Sequence, residues 1–179
     1  MVEGKRPPGE RVVVYDSDGY FMGPDLAEKL AVAGHRVDLV TSLEDVAPFA
    51  HETLEQDFLK RRLHEVGVTM HRGVTVAGVD PGLVAGADEF DEPFELEADA
   101  LVLVTQRISD DALYHELRSD EARLVAEGIE AVYRIGDCVA PQLIADSIFD
   151  GHRLAREIDA EDPAVPLPFL RERPVPAHA

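Results

Sequence analysis

Residues 18 to 23 (Asp-Gly-Tyr-Phe-Met-Gly) follow an apolar run and precede an amphipathic one, the position where α/β folds grip a diphosphate. A dinucleotide turn needs glycines spaced G-x-G-x-x-G, for the tight turn, the close approach of backbone to pyrophosphate, and the contact of helix with strand. Setting Gly23 as the third glycine puts Asp18 at the first position and Tyr20 at the second, with Gly19 between them. A carboxylate about 4 Å from a phosphate repels it by roughly 4 kcal/mol at an effective dielectric near 20. That is on the order of a thousandfold in affinity. The acidic ribose partner is missing too, because the next strand ends in Thr41-Ser42. A one-residue insertion would move Gly19 into register, so Gly19 and Gly23 stand as candidate cofactor-binding residues. Charge and bulk argue against NAD(P)H.

The second chemically suggestive turn is Gly136-Asp137, after the apolar run that ends at Ile135. In flavoproteins with two dinucleotide domains, a strand ending in Gly-Asp sets the carboxylate on a ribitol or ribose hydroxyl, and the next helix points its N–H groups at the pyrophosphate. The plainer alternative is a strand-to-helix turn capped by Asp137. Val104-Thr105 and the upstream unit favour the flavin-type reading. Cys138 follows Asp137 directly, without the cationic neighbours that activate a thiol, which points to a structural role. His35, His51, His64, His71, His115, His152 and His178 include no i, i+4 pair, so no metal set emerges. No Gly-x-Ser-x-Gly turn is present, and no lysine sits in a phosphate loop.

Composition sets the outer limits. With 179 residues the chain has room for one good core, or one domain and part of another. One cysteine excludes an internal disulfide and cannot ligate an iron–sulfur cluster. No apolar run reaches the roughly 20 residues a membrane span needs, and no signal-peptide pattern opens the sequence, so a cytoplasmic setting is expected. The formal charge of -19, from 36 acidic and 17 basic residues, excludes nucleic acid and anionic membrane as natural partners. The acids are spread rather than blocked. That favours a surface adapted to high salt, as in a halophilic source, over an acidic docking face for a basic redox partner.

The elements that position these turns are legible from periodicity. Val12 to Val14 read as a strand buried on both faces. Pro24 suits the first position of a helix carrying Leu26, Ala27, Leu30 and Ala31. Gly34 ends it, and Val37, Leu39 and Val40 make a second strand. A second helix is expected from about Glu52 to Val66, with Leu54, Phe58, Leu59, Leu63 and Val66 turned inward and Gly67 as its stop. Val68 to Glu97 reads as a short antiparallel meander with a turn at Asp80-Pro81-Gly82, and Leu101 to Val104 as a buried parallel strand. Short helices follow near 111–117 and 119–126. Then come a strand over 132–135 and a long apolar-striped helix opened by Pro141. The expected fold is α/β, Rossmann-like, a three-layer domain with a parallel sheet and an antiparallel insertion. Its parts are a linker (1–10), a Rossmann module (11–130), a returning strand and helix (131–160) and a Pro-rich tail (161–179).

Several segments together resemble the C-terminal region of the trimethylamine dehydrogenase family. They are Tyr20-Phe21-Met22, residues 26–30 (LAEKL), Ala33-Gly34-His35, Thr53-Leu54-Glu55, residues 61–65 (RRLHE), residues 101–105 (LVLVT) and the stretch from Ile135-Gly136-Asp137 to Glu157. The family includes dimethylamine and histamine dehydrogenases and, more distantly, 2,4-dienoyl-CoA reductase. The resemblance implies an N-terminal barrel with FMN and a 4Fe–4S cluster, absent from this chain, followed by a domain with an FAD or ADP site. Residues 11–130 would be its inserted NAD-domain-like module, and 131–159 the returning part of the FAD/ADP domain, whose first half precedes Met1. By the same resemblance, Gly136 and Asp137 hold the nucleotide, with Pro141, Gln142 and Leu143 opening the helix beside it. Gln106 stands where the wider flavoprotein pattern has glycine, which weighs further against a nicotinamide site.

The resemblance thus implies a catalytically silent nucleotide-domain fragment of an amine-oxidising iron–sulfur flavoprotein. Its partners would be the missing barrel and half-domain and an electron-transfer flavoprotein, and a homodimer is among the assemblies it allows. Two alternatives stand beside it: the NAD(P)H-binding part of a dienoyl-CoA reductase-type enzyme, and a free-standing Rossmann-like interaction module.

Overall fold

The computed structural model describes residues 6–167, and the chain divides between Gln106 and Arg107 into two compact units. The start of the expected linker and most of the Pro-rich tail, with Pro168, Pro174, Pro176 and His178, lie outside the described residues.

The first unit opens with β1 (Arg11–Asp16), α1 (Met22–Val32) and β2 (Arg36–Thr41). A 3-10 turn (Pro48–His51), α2 (Gln56–Glu65) and β3 (Thr69–His71) follow. Then come β4 (Thr75–Asp80), β5 (Leu83–Ala87), β6 (Pro93–Glu97) and β7 (Ala100–Val104). A parallel sheet runs in the order β3-β2-β1-β7, with Val14 opposite Leu39 on one side and Val102 on the other. β4, β5 and β6 form a separate antiparallel sheet.

The unbroken Val12-Val13-Val14 run follows from what covers each face. Val12 and Val14 point with Leu39 into a core shared with Ala27 and Leu30 of α1 and Leu63 of α2. Val13 points the other way, with Val40, into a core shared with Val74, Val84 and Ala98. Helices thus cover one face of the parallel sheet and the meander the other, so a period-2 strand is apolar at every position.

Several expectations need correction. Pro24 occupies the third position of α1, still within the first turn, where no intrahelical donor is lost. Gly34 does close that helix, at φ +94°. α2 begins at Gln56, and Leu54 (79% exposed) and Phe58 (66% exposed) face solvent. The helical spacing there continues a pattern that only Leu59, Leu63 and Val66 bury. Residues 69–71 belong to the parallel sheet, pairing with β2, and only β4 to β6 form the meander.

In the second unit lie α3 (Ala112–Arg118), α4 (Glu121–Ala126), a 3-10 turn (Gly136–Cys138) and α5 (Ile144–Glu157). None of the three α-helices has a fully buried residue. The strand expected over 132–135 is not formed, although Ile135 has extended backbone at φ −144° and ψ 161°. A strand requires a ladder, and no described segment pairs with this one. Pro141 precedes α5 by three residues instead of opening it, and Ile144 and Phe149 are largely exposed. No helix among the described residues is long and apolar enough to cross a membrane.

Candidate functional site

The β1–α1 turn is organised around Asp16, the last residue of β1. Its side chain is buried (1% exposed) because it lies beneath the turn, against the first turn of α1. Asp16 Oδ1 accepts hydrogen bonds from the backbone N–H of Asp18 at 3.0 Å and of Gly19 at 3.2 Å. These N–H groups belong to the turn at which a dinucleotide fold would receive its phosphates, and here they point inward to the chain's own carboxylate. Ser17 N–H donates to the Val104 carbonyl at 2.9 Å, and Phe49 N–H to the Gly19 carbonyl at 3.1 Å, closing the turn from both sides.

The two glycines of this turn serve different ends. Gly19 has φ +72°, a left-handed conformation that L-residues adopt reluctantly. A Cβ there would also lie 3.0 Å from the Phe49 ring. Gly23 lies outside the left-handed region. Its requirement is contact, since a Cβ would fall 2.5 Å from Asp16 Oδ2 and 2.7 Å from Asp16 Cβ. Asp16 Oδ2 is itself buried with no hydrogen-bond partner, a state that costs on the order of 1–3 kcal/mol. Burial pushes the Asp16 carboxyl above the usual carboxylate range, opposed by the two N–H donors that favour its ionised form.

Spacing rules single out Gly19 and Gly23 but pass over Asp16, the residue that links them. The signal was an acid closing a largely apolar strand, where a buried carboxylate needs local donors.

The Gly136-Asp137 turn, in the second unit, is described by itself. Gly136 has φ +63°, and its N–H donates to Asp150 Oδ2 at 3.1 Å. The same oxygen accepts from Gln142 Nε2 at 2.8 Å. Asp137 Oδ1 accepts from the Gln142 N–H at 3.2 Å and from Ser147 Oγ at 3.3 Å. At the entry to α5, Asp146 Oδ2 accepts from the Leu143 N–H at 3.2 Å, the returning half of a capping box. Pro141 is half-buried beside this network, and the Asp137 side chain is exposed. Gly136, Asp137, Gln142 and Leu143 are therefore brought together, with Asp150 as the member that sequence spacing missed. Cys138 Sγ donates to the Ile135 carbonyl at 3.0 Å, which makes it part of the turn's framework. Among the described residues no group of three His, Cys, Asp or Glu side chains is placed to hold a metal ion.

Comparison with known proteins covers both units. Residues 1–90 match the family model of the OYE-like second alpha/beta domain. Dimethylamine dehydrogenase of Hyphomicrobium sp. (strain x) is 36% identical over 192 residues, spanning 97% of this chain and 26% of that protein. Histamine dehydrogenase from Rhizobium sp. 4-9 superposes with a TM-score of 0.83 at 33% identity, over 96% of this chain and 26% of that one. The 6-hydroxypseudooxynicotine amine oxidase of Pseudomonas geniculata N1 gives a TM-score of 0.77 at 37% identity, over 84% of this chain and 22% of that one. The chain thus spans about a quarter of the length of these relatives. With half of it matched by the family model and 84–96% of it superposing on these enzymes, the chain belongs to the OYE-like second alpha/beta domain family and is related to the trimethylamine dehydrogenase group.

Proposed function

We propose that this chain is the nucleotide-domain portion of an amine-oxidising iron–sulfur flavoprotein, a supporting lobe that itself carries out no chemistry. The observation that carries the reading is the likeness, across nearly the whole chain, to enzymes named for oxidising dimethylamine and histamine. The segment 132–135, which pairs with no strand among the described residues, and the exposed apolar residues of α5 support it, since both are surfaces that further polypeptide would complete.

The residues of the second turn fit an FAD or ADP. Asp137 is an exposed acceptor for a ribityl or ribose hydroxyl, and Gly136, without a Cβ, lets the turn pass close to Ser147 of α5. Gln142 and Leu143 would lead into α5; their N–H groups are held by Asp137 and Asp146, so a diphosphate at this helix end would have to displace those carboxylates. Asp150 holds the Gly136 N–H and the Gln142 side chain in place. FMN and a 4Fe–4S cluster would belong to the rest of the polypeptide. There FMN would take hydride or electrons from the carbon next to the amine nitrogen, and the cluster would pass electrons to a carrier such as an electron-transfer flavoprotein. In this Rossmann-like reading the first unit is an NAD-domain-like module without a nicotinamide site, because Asp16 uses the donors of its turn.

The test is anaerobic reduction of the full-length protein. A secondary or tertiary amine should bleach its flavin absorbance, whereas NADH and NADPH should neither bleach it nor bind saturably at physiological concentration. Rapid reduction by NADPH would instead establish the dienoyl-CoA reductase-type alternative.

A further inference from the structure

We propose that Asp16 is the specificity-determining residue of the β1–α1 turn, an internal anion that occupies the place a diphosphate would take. The proposal deepens the reading that this module holds no nicotinamide nucleotide, by naming the residue that closes it.

Three independent observations converge on this side chain. One carboxylate oxygen takes the N–H donors of Asp18 and Gly19, so the turn's donors face inward. The other oxygen lies against Gly23, the second residue of the eleven-residue helix α1, and fills the space that glycine leaves. That oxygen is fully buried and has no hydrogen-bond partner. A carboxylate in such a position gains from the positive end of a helix dipole. α1 has no side-chain cap of its own, since Phe21 stands at its N-cap. Asp16 therefore supplies from within the negative charge that the N-terminus of a dinucleotide-binding helix takes from its ligand.

Shortening Asp16 should leave a hollow lined by the Asp18 and Gly19 N–H groups and the first turn of α1. That is a site for a small inorganic oxyanion. It is not a nicotinamide site, because Asp18 and Tyr20 still occupy the glycine positions of the motif.

The experiment compares the full-length wild type with Asp16→Ala, Asp16→Ser and Asp16→Asn. Each is melted in sodium nitrate and in sodium chloride of equal ionic strength, nitrate being planar and close in size to the carboxylate the hollow has lost. The Ala and Ser variants should melt about 1 °C higher in nitrate at roughly thirty times its Kd, given a full-length protein about four times as long as this chain. Wild type and Asp16→Asn, whose amide fills the same volume, should show no difference between the two salts. Folded Ala and Ser variants that behave like the wild type would overturn the proposal. So would a nitrate response by the wild type. A measurement on the wild type alone decides the matter if neither small variant folds: its Asp18, Gly19 and Gly23 amide resonances should stay fixed as nitrate is added, and movement there refutes the assignment. Saturable NADH binding by the wild type would sink the functional reading itself. A wild type that binds neither, with variants that gain nothing, sinks only the role of Asp16.

Discussion

Replacing Gly23 by alanine separates a glycine kept for contact from one kept for backbone freedom. Because Gly23 lies outside the left-handed region and inside α1, intrinsic preference alone would make alanine stabilising by roughly 1 kcal/mol. The structure opposes this. The new methyl would stand 2.5 Å from Asp16 Oδ2, where ordinary contacts begin at 3.4 Å, and Asp16 has no room to retreat. Overpacking of this kind costs about 1–3 kcal/mol. If Asp16 swings away, it forfeits two hydrogen bonds to a charged acceptor, worth about 1.5–3 kcal/mol each. Gly23→Ala should therefore lose about 2 kcal/mol, lowering the melting temperature by about 4–8 °C in a chain of this size. In an Asp16→Gly background, which also removes the Asp16 Cβ at 2.7 Å, the same change should be neutral or stabilising, giving a coupling of about 2–3 kcal/mol in a double-mutant cycle followed by urea unfolding. An equal cost in both backgrounds would show that Gly23 answers to something other than Asp16.

Asp99 carries the clearest pH dependence. Hydrogen bonds from the Arg11 N–H, the Arg11 side chain and the Glu10 N–H hold its pKa down to about 2, against an ordinary 3.8. A folded-state pKa below the unfolded one gives stability that is present above pH 4 and lost as pH falls toward 2. Melting temperatures of wild type and Asp99→Asn should accordingly differ at pH 6 and converge by about pH 2. Leu63→Ala, at a side chain only 1% exposed where α2 meets the sheet, should cost about 2–5 kcal/mol by urea unfolding. Gly136→Ala should lose roughly 1–2 kcal/mol from its left-handed backbone. A Cβ there would also lie 3.2 Å from Ser147 Oγ, so faster amide exchange at the start of α5 is the expected signature.

The centre of the parallel sheet was legible because β1 and β2 are covered on both faces, and Val12 to Val14 announce that with no polar interruption. β7, expected to be buried, is so only at Val104, and Leu103 is 62% exposed. The meander was legible from its turns, but β3 was misplaced among its strands. Three residues, Thr69 to His71, carry too little pattern to declare parallel or antiparallel pairing. α2 misled because Leu54 and Phe58 fit a helical stripe and yet face solvent. Spacing reports what a helix is able to bury, whereas burial depends on whether another layer is there. The segment 132–135 shows the same limit, having the composition of a strand and no described neighbour to pair with. At the first turn the glycine spacing picks out Gly19 and Gly23 and passes over Asp16. That acid belongs to the strand before the motif, and its contact with Gly23 is one that no spacing rule encodes.

β1 runs through the middle of the sheet with a hydrogen-bonded neighbour on each edge, and Asp16 is its final residue. The acid is thus mounted on the part of the first unit that opens last, where amide protons should survive longest in deuterated solvent. A turn carried on a loop can be reshaped by what it meets. One seated on such a strand works as a mould and leaves no room for induced fit, so any molecule recruited there must match the shape already cast.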